Sequence, residues 1–167
     1  MKKQGSRFRL LPFHQWIIFA IGPALFLLLF FLFWTDEPMV LIISDQETGE
    51  EYKRTYIHAD DEFTVQWVHS VEKTLWQETL TVNKDGEIVL TETRFRSFGA
   101  GVPNEKDGNI YFDDGFLVMT DLAEVKNHYQ WIHSHDAKFT IFKNDEPFLH
   151  TSDIPHHHKA EIMIKKG

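Results

Sequence analysis

In the stretch WVHSVEKTLWQETLTV, Trp67 to Val82, an imidazole and a carboxylate fall on the apolar beat of a strand alternation. Phe63, Val65, Trp67 and His69 share one face, and Trp76, Glu78, Leu80 and Val82 share the matching face of the next segment. A histidine and a glutamate turned inward together have the chemistry to recognise a ligand, to hold a metal, or to act as base and acid in a hydrolysis. Setting Trp67 opposite Leu80 places Val65 against Val82 and His69 against Glu78. The turn NKDG then leads into EIVLTETRFRS, where pairing Val82 with Ile88 aligns Leu80 with Leu90, Glu78 with Glu92, and Trp76 with Arg94.

This register gathers His69, Glu78, Glu92 and Arg94 at one end of one face. Such a cluster is costly inside a small domain unless its members pair. It reads either as a satisfied ion-pair network that fixes register or as a polar ligand site. A one-residue slip would send each side chain to the other face. The segment SFGAGVP follows, with Gly99 and Gly101 flanking Ala100. Its backbone N–H groups can form an anion-binding concavity, so Gly99 and Gly101 join the candidate ligand-binding residues. No helix pattern follows, so this is not a dinucleotide motif, and a plain bend is the alternative.

The remaining histidines carry weaker signals. His133 and His135 flank Ser134 and would face the same way in a strand; His156, His157 and His158 follow Pro155 as an exposed turn. Without cysteine, a metal would need these imidazoles together with Asp136 or Asp153. No H-E-x-x-H accompanies them, so surface histidines are expected and neither a metal nor another cofactor is assigned. G-x-S-x-G and P-loop motifs are absent. Ser70, beside His69, points to the opposite face of a strand and is no nucleophile partner.

The elements that position these residues follow from patterning. Beyond Thr35, β-branched and aromatic runs alternate with turn signals, which predicts a small antiparallel all-β sandwich or partly open barrel. Strands are expected near 38–44, 52–58, 62–70, 75–83, 87–97, 109–113, 116–120, 138–143, 147–151 and 160–165. Turns are expected at ETGEE, HADDE, NKDGE, NEKDGN and DDGF. In DLAEVKNHYQWIHSHD, Leu122, Val125 and Tyr129 recur at near-helical spacing and suggest a short helix.

Charge and hydropathy divide the chain into a basic tail (1–15), an apolar segment (16–34) and an acidic domain (36–167). The first 34 residues hold Lys2, Lys3, Arg7 and Arg9 and no acidic residue, leaving 13 basic against 25 acidic residues and a net charge of −12 beyond them. Such a domain repels phosphate backbones, which excludes nucleic acid as a partner class. The absence of cysteine excludes disulfides and thiolate chemistry and suits an exported protein. Trp16 to Trp34 is uncharged over 19 residues, roughly 28 Å as a helix, close to the bilayer's hydrocarbon thickness. Tryptophans at both ends suit the water interfaces. The run ends FFLFWTDEP, without the small residues of a signal-peptide cleavage site. The expectation is an uncleaved single-pass anchor in the cell membrane, with the basic tail cytoplasmic and the acidic domain outside.

The HSVEKT segment with a glutamate soon after, followed by ETRFRSFGAGVP, resembles the family catalogued as domain of unknown function 1850. The likeness covers roughly residues 38–150 and rests on His69, Ser70, Glu78, Glu92, Phe98, Gly99 and Gly101. Leu75 departs from it, where a proline is typical. The resemblance implies a small anchored domain, often encoded beside tripartite TRAP transporters of the TAXI subclass, which import small organic anions. It assigns no activity. It implies a non-enzymatic accessory that touches the transporter's membrane subunit, its solute-binding protein, or the carboxylate solute. A histidine- and carboxylate-dependent hydrolase or metal-binding protein at the cell surface is the second reading, and an envelope scaffold without ligand the third.

Overall fold

The computed structural model describes residues 25–26, 38–96 and 108–166. The chain divides into two compact units, 1–36 and 37–167. The first is the unit of the expected anchor, and nearly all of that segment lies outside the described residues. Among the described residues, no helix is long and apolar enough to cross a membrane.

The second unit is built from strands arranged in two antiparallel sheets. One has the order β2 (Glu51–Ile57), β1 (Met39–Asp45), β12 (Lys159–Lys166), β9 (Tyr129–Ile132). The other runs β11 (Glu146–Leu149), β10 (Thr140–Lys143), β3 (Glu62–Val68), β4 (Leu75–Val82), β5 (Ile88–Phe95), β7 (Phe116–Thr120), β6 (Asn109–Asp113). A short β8 (Glu124–Lys126) pairs with β5 off this path. Among the described residues, the two sheets do not close on each other. Ten of these strands fall within a few residues of the expected positions.

Burial of the alternating apolar residues holds the sheets together. Leu41, Ile43, Ile57 and Ile162 of the first sheet share one core with Phe63, Val65, Leu80 and Ile88 of the second, and all are almost wholly buried. Each such side chain contributes about 1.5–3 kcal/mol relative to exposure. Turn chemistry sets the hairpins. Asp114 and Gly115 have φ of 44° and 76°, and Asn144 and Asp145 have 51° and 63°, so two-residue left-handed turns join β6 to β7 and β10 to β11. In the NKDG turn, the Asn83 side chain accepts from the backbone N–H of Asp85 and Glu87 at 3.0 and 2.9 Å.

Three expectations are corrected. The expected helix within residues 121–136 is absent; the strands β8 and β9 occupy that stretch. Tyr129 and Trp131 are buried while Gln130 and Ile132 are exposed, so the period there is two, and the spacing of Leu122, Val125 and Tyr129 was coincidental. The β3–β4 register is shifted by four residues, pairing Phe63 with Leu80, Val65 with Glu78, and Trp67 with Trp76. The hairpin closes at a tight turn: His69 N donates to Thr74 O at 2.8 Å and Lys73 N to His69 O at 3.0 Å, with Lys73 at φ 55°. A four-residue bend thus replaces the longer loop that a His69–Glu78 pair requires.

The third correction concerns β4 and β5. Val82 pairs with Ile88 and Leu80 with Leu90, as expected, but Thr79 then pairs with Glu92 and Glu78 with Thr93. Thr91 is the extra residue of a β-bulge, and its hydroxyl donates to Thr79 O at 3.1 Å. An unpaired residue in one strand reverses the facing of every residue beyond it. Thr93 and Phe95 therefore turn inward, both fully buried, and Glu92 and Arg94 turn outward.

Candidate functional site

The expected four-residue cluster is divided between the two faces of one sheet. Glu78 and His69 remain on the inner face with Trp67 and Trp76. Glu92 and Arg94 lie on the outer face among Thr64, Gln66, Gln77 and Thr79. Gly99 and Gly101 lie outside the described residues.

The inner face carries the more structured site. Two clefts of about 570 and 590 Å³ share Trp67, Glu78 and Phe139. They make one trough, bordered at one end by His69, Ser70 and Lys73 of the hairpin and at the other by Lys126, His128 and Gln130. Its wall is a run of aromatic rings. Phe95 stacks on Trp76 at 4.6 Å, Trp76 on Trp67 at 5.8 Å, and Trp67 on Phe139 at 5.7 Å, with Trp131 tilted against Phe139 at 6.0 Å. Such pairs favour offset or tilted contact over a direct sandwich.

Glu78 is the carboxylate within this wall. The Tyr129 hydroxyl donates to its Oε2 at 2.7 Å. Burial raises the Glu78 carboxyl above its ordinary value, while the Tyr129 bond and the charge of Lys126 pull it back and Glu124 pushes it further up. Burial, with the neighbouring Glu78 charge, lifts the Tyr129 phenol well above 10. Trp76 Nε1 is buried without a hydrogen-bond partner. Its N–H lies near enough to Glu78 to favour the carboxylate, yet the geometry makes no bond, so a buried donor is left to be satisfied. That costs roughly 1–3 kcal/mol.

His69 caps the trough. Its ring stacks on Trp76 at 5.5 Å, and the backbone N–H of Glu72 donates to Nδ1 at 3.3 Å. That bond makes Nδ1 the acceptor, so the neutral ring carries its proton on Nε2. His69 is oriented by a backbone amide and an indole, and Glu78 is not its partner.

On the outer face Arg94 donates from Nη2 to Asp113 Oδ2 at 2.7 Å and lies 3.9 Å from Glu92. Its guanidinium sits over the Phe116 ring at 5.3 Å. Burial raises the Glu92 carboxyl, with Arg94 opposing that shift. A shallow hollow of about 350 Å³ lies beside them, floored by a Gln77–Gln66 amide bond at 2.8 Å.

The remaining histidines are mostly structural. His133, expected at the surface, is fully buried. Trp131 Nε1 donates to its Nδ1 at 3.3 Å, and its Nε2 bonds Thr151 O at 2.9 Å. His135 Nε2 bonds Ile154 O at 3.0 Å. His156 to His158 form the expected turn, with His157 at φ 67°. His158 Nδ1 meets Asp45 Oδ2 at 2.8 Å, and Tyr52 donates to the same oxygen at 2.9 Å. Among the described residues, no group of three or more His, Asp or Glu is placed to hold a metal ion.

Sequence patterning missed Tyr129, Trp131 and Phe139 as trough residues. The alternation from Tyr129 to His133 was the available signal; their meeting with Glu78 depends on how the sheets stack, which no local pattern encodes.

A family model described as Domain of unknown function (DUF1850) matches residues 63–148, just over half of the chain. The matched span runs from β3 to β11 and includes Glu78, Tyr129 and Phe139 as well as Glu92 and Arg94. No curated protein matches the chain, and no solved structure does.

Proposed function

The chain belongs to the family described as Domain of unknown function (DUF1850), and from that premise we propose a non-enzymatic, membrane-anchored extracytoplasmic domain that assists a TRAP solute transporter of the TAXI subclass. It does so by docking a protein partner, the membrane subunit or the solute-binding protein, in the trough around Glu78. The architecture is a β-sandwich left open along one side, and the anchor is the uncharged segment from Trp16 to Trp34. The carrying observation is the Glu78 carboxylate set in an aromatic wall of Trp67, Trp76 and Phe139 that borders an open trough. A partner with complementary groups would pair with the carboxylate and cover the rings, where interface energy concentrates.

The solute itself is the weaker occupant, because the Glu78 carboxylate opposes a small organic anion in the same trough. The hydrolase reading needs a base held by an orienting group and set against a nucleophile. His69 is held by the Glu72 amide and the Trp76 ring instead.

Affinity capture of the full chain from native membranes in mild detergent, followed by mass spectrometry, tests the proposal. The transporter's membrane subunit or solute-binding protein should be recovered with or without chelator, and lost in Glu78→Lys. Capture of intact chain with neither protein would refute the transporter role. A hydrolytic activity abolished by chelator or by His69→Ala would establish the hydrolase in its place.

A further inference from the structure

The trough lies against a strand edge to which no further strand is paired among the described residues. β9 is the last strand of its sheet, and β8, its nearest neighbour in sequence, pairs with β5 of the other sheet. Backbone bonds fix the phase of the β9–β12 ladder. His133 N donates to His158 O, and His157 N to His133 O, both at 2.8 Å, so His133 turns its backbone toward β12. In an antiparallel pair this alternates. Trp131 and Tyr129, in register with Ala160 and Ile162, face β12 likewise, while Gln130 and Ile132 turn N–H and C=O away from it. The Ile132 residue is 64% exposed. β9, YQWI, carries neither charge nor proline, the devices that usually guard such an edge.

We propose that an extended segment of a partner protein, bearing a lysine or arginine, adds along the free edge of β9 and lowers that side chain into the trough against Glu78. The exposed amide and carbonyl groups of Gln130 and Ile132 supply the main-chain bonds of strand addition, and alternate side chains of the added strand then point into the space between the sheets. There they meet Trp131, Phe139 and Trp67, with Glu78 at hand. Two lysines border the trough without filling it. Lys126 is held by Glu124 at 2.6 Å, and Lys73 is exposed at the hairpin end. The net charge of −12 beyond the apolar segment favours encounter with a basic segment. Edge, trough and charge thus select one occupant: a short extended peptide with a central cation. This inference deepens the docking role proposed above and rests on it.

The test uses the full chain in detergent micelles and four probes. Three are decapeptides of alternating Ser and Thr that differ only in a central Lys, Leu or Glu; the fourth is Nα-acetyl-lysine methylamide. The Lys peptide should bind at least about tenfold more tightly than the Glu peptide. It should also slow amide exchange at Gln130 and Ile132. Glu78→Gln should erase the difference between the Lys and Glu peptides, and Ile132→Pro, which removes an outward N–H, should abolish binding of all three. If Ile132→Pro fails to fold, exchange in the wild-type chain decides. The inference is overturned if no peptide binds at millimolar concentration, if the lysine amide binds as well as the peptide, or if protection falls away from β9. It is equally overturned if the Lys preference survives Glu78→Gln. Recovery of the transporter without peptide binding would sink this inference and leave the transporter role standing; peptide binding without such recovery would do the reverse.

Discussion

The hydroxyl of Tyr129 donates to Oε2 of Glu78 at 2.7 Å across 51 residues of sequence, and this one bond ties β9 of the first sheet to β4 of the second. It gives the buried carboxyl a neutral donor in place of a counter-ion. The group is therefore satisfied in part without being neutralised, and both its protonation and its availability to a ligand remain sensitive to the surroundings.

Glu78 should lower stability as the pH rises. Burial holds its folded pKa above the ordinary 4.5, so the folded domain binds this proton more tightly than the unfolded chain does. The resulting stability is fully present below pH 4.5 and is lost as the pH climbs through the raised value. Glu92 is shifted in the same direction, so the informative quantity is the difference between wild type and Glu78→Gln. Denaturant midpoints followed from about pH 4.5 to about 7 should fall more steeply for wild type. Parallel profiles would contradict the shift.

Glu78 and Arg94 should act independently. They occupy opposite faces of the sheet, and Arg94 has its own partner in Asp113 at 2.7 Å. In a double-mutant cycle, Glu78→Gln and Arg94→Met should add within about 0.5 kcal/mol. Arg94→Met alone should cost about 1 kcal/mol or less, since the Asp113 side chain is 56% exposed. A coupling of 1 kcal/mol or more, on the order seen between residues in one network, would mean that the two form one cluster after all.

Asp45 should govern the acid limb. Its Oδ1 accepts the backbone N–H of Glu47 and Thr48, both at 2.8 Å, and Oδ2 meets His158 and Tyr52. The Thr48 amide first, then His158, hold this carboxyl far below its ordinary 3.8. Its stabilisation is present above pH 3.8 and disappears as the pH falls through the depressed value. Asp45→Asn should therefore be less stable than wild type at neutral pH, with the gap closing in acid. A gap that stays constant with pH would count against the assignment. Burial first, then the bond to Asp45, push the Tyr52 phenol up to about 12. Tyr129 is raised as well, so a spectrophotometric titration should show two late tyrosines, of which one moves earlier in Asp45→Asn.

His133 should stay neutral in the folded domain. Burial lowers its pKa below 6.5, so the unfolded chain takes up the proton first and stability falls as the pH drops below 6.5. His133→Phe should reduce that slope. His133→Ala, which leaves a cavity and strands the Trp131 N–H and the Thr151 carbonyl, should cost about 2–5 kcal/mol by equilibrium unfolding. A cost under about 1 kcal/mol would show that the two contacts carry little.

Much of the strand layout was legible because apolar alternation and turn residues are local. Val82 against Ile88 could be read from the NKDG turn between them, and the left-handed residues at Asp114 and Gly115 from DDGF. The site was not local. His69 and Glu78 were assigned to the correct face, but their pairing assumed a longer loop than Ser70 to Lys73 forms, because nothing in those residue types demands that Lys73 adopt a positive φ. Glu92 and Arg94 were placed on the wrong face because a bulge leaves no compositional mark: threonine at position 91 suits an ordinary strand position as well as an extra one. Tyr129 entered the trough by tertiary packing alone.

The bulge at Thr91 also dictates how β5 tolerates change. Systematic substitution along the strand should show intolerance at the even positions 88 and 90, then at the odd positions 93 and 95, with the parity switching within a single residue. Deleting Thr91 would restore one uninterrupted parity. The facing beyond it would be kept, because Leu90 would be followed directly by Glu92 opposite Thr79, with Thr93 and Phe95 still inward. What would turn Glu92 and Arg94 inward is a strand that keeps Thr91 but pairs it opposite Thr79. The bulge is therefore a reading-frame correction written in backbone geometry: it absorbs the one residue by which this strand is out of step with its own apolar pattern.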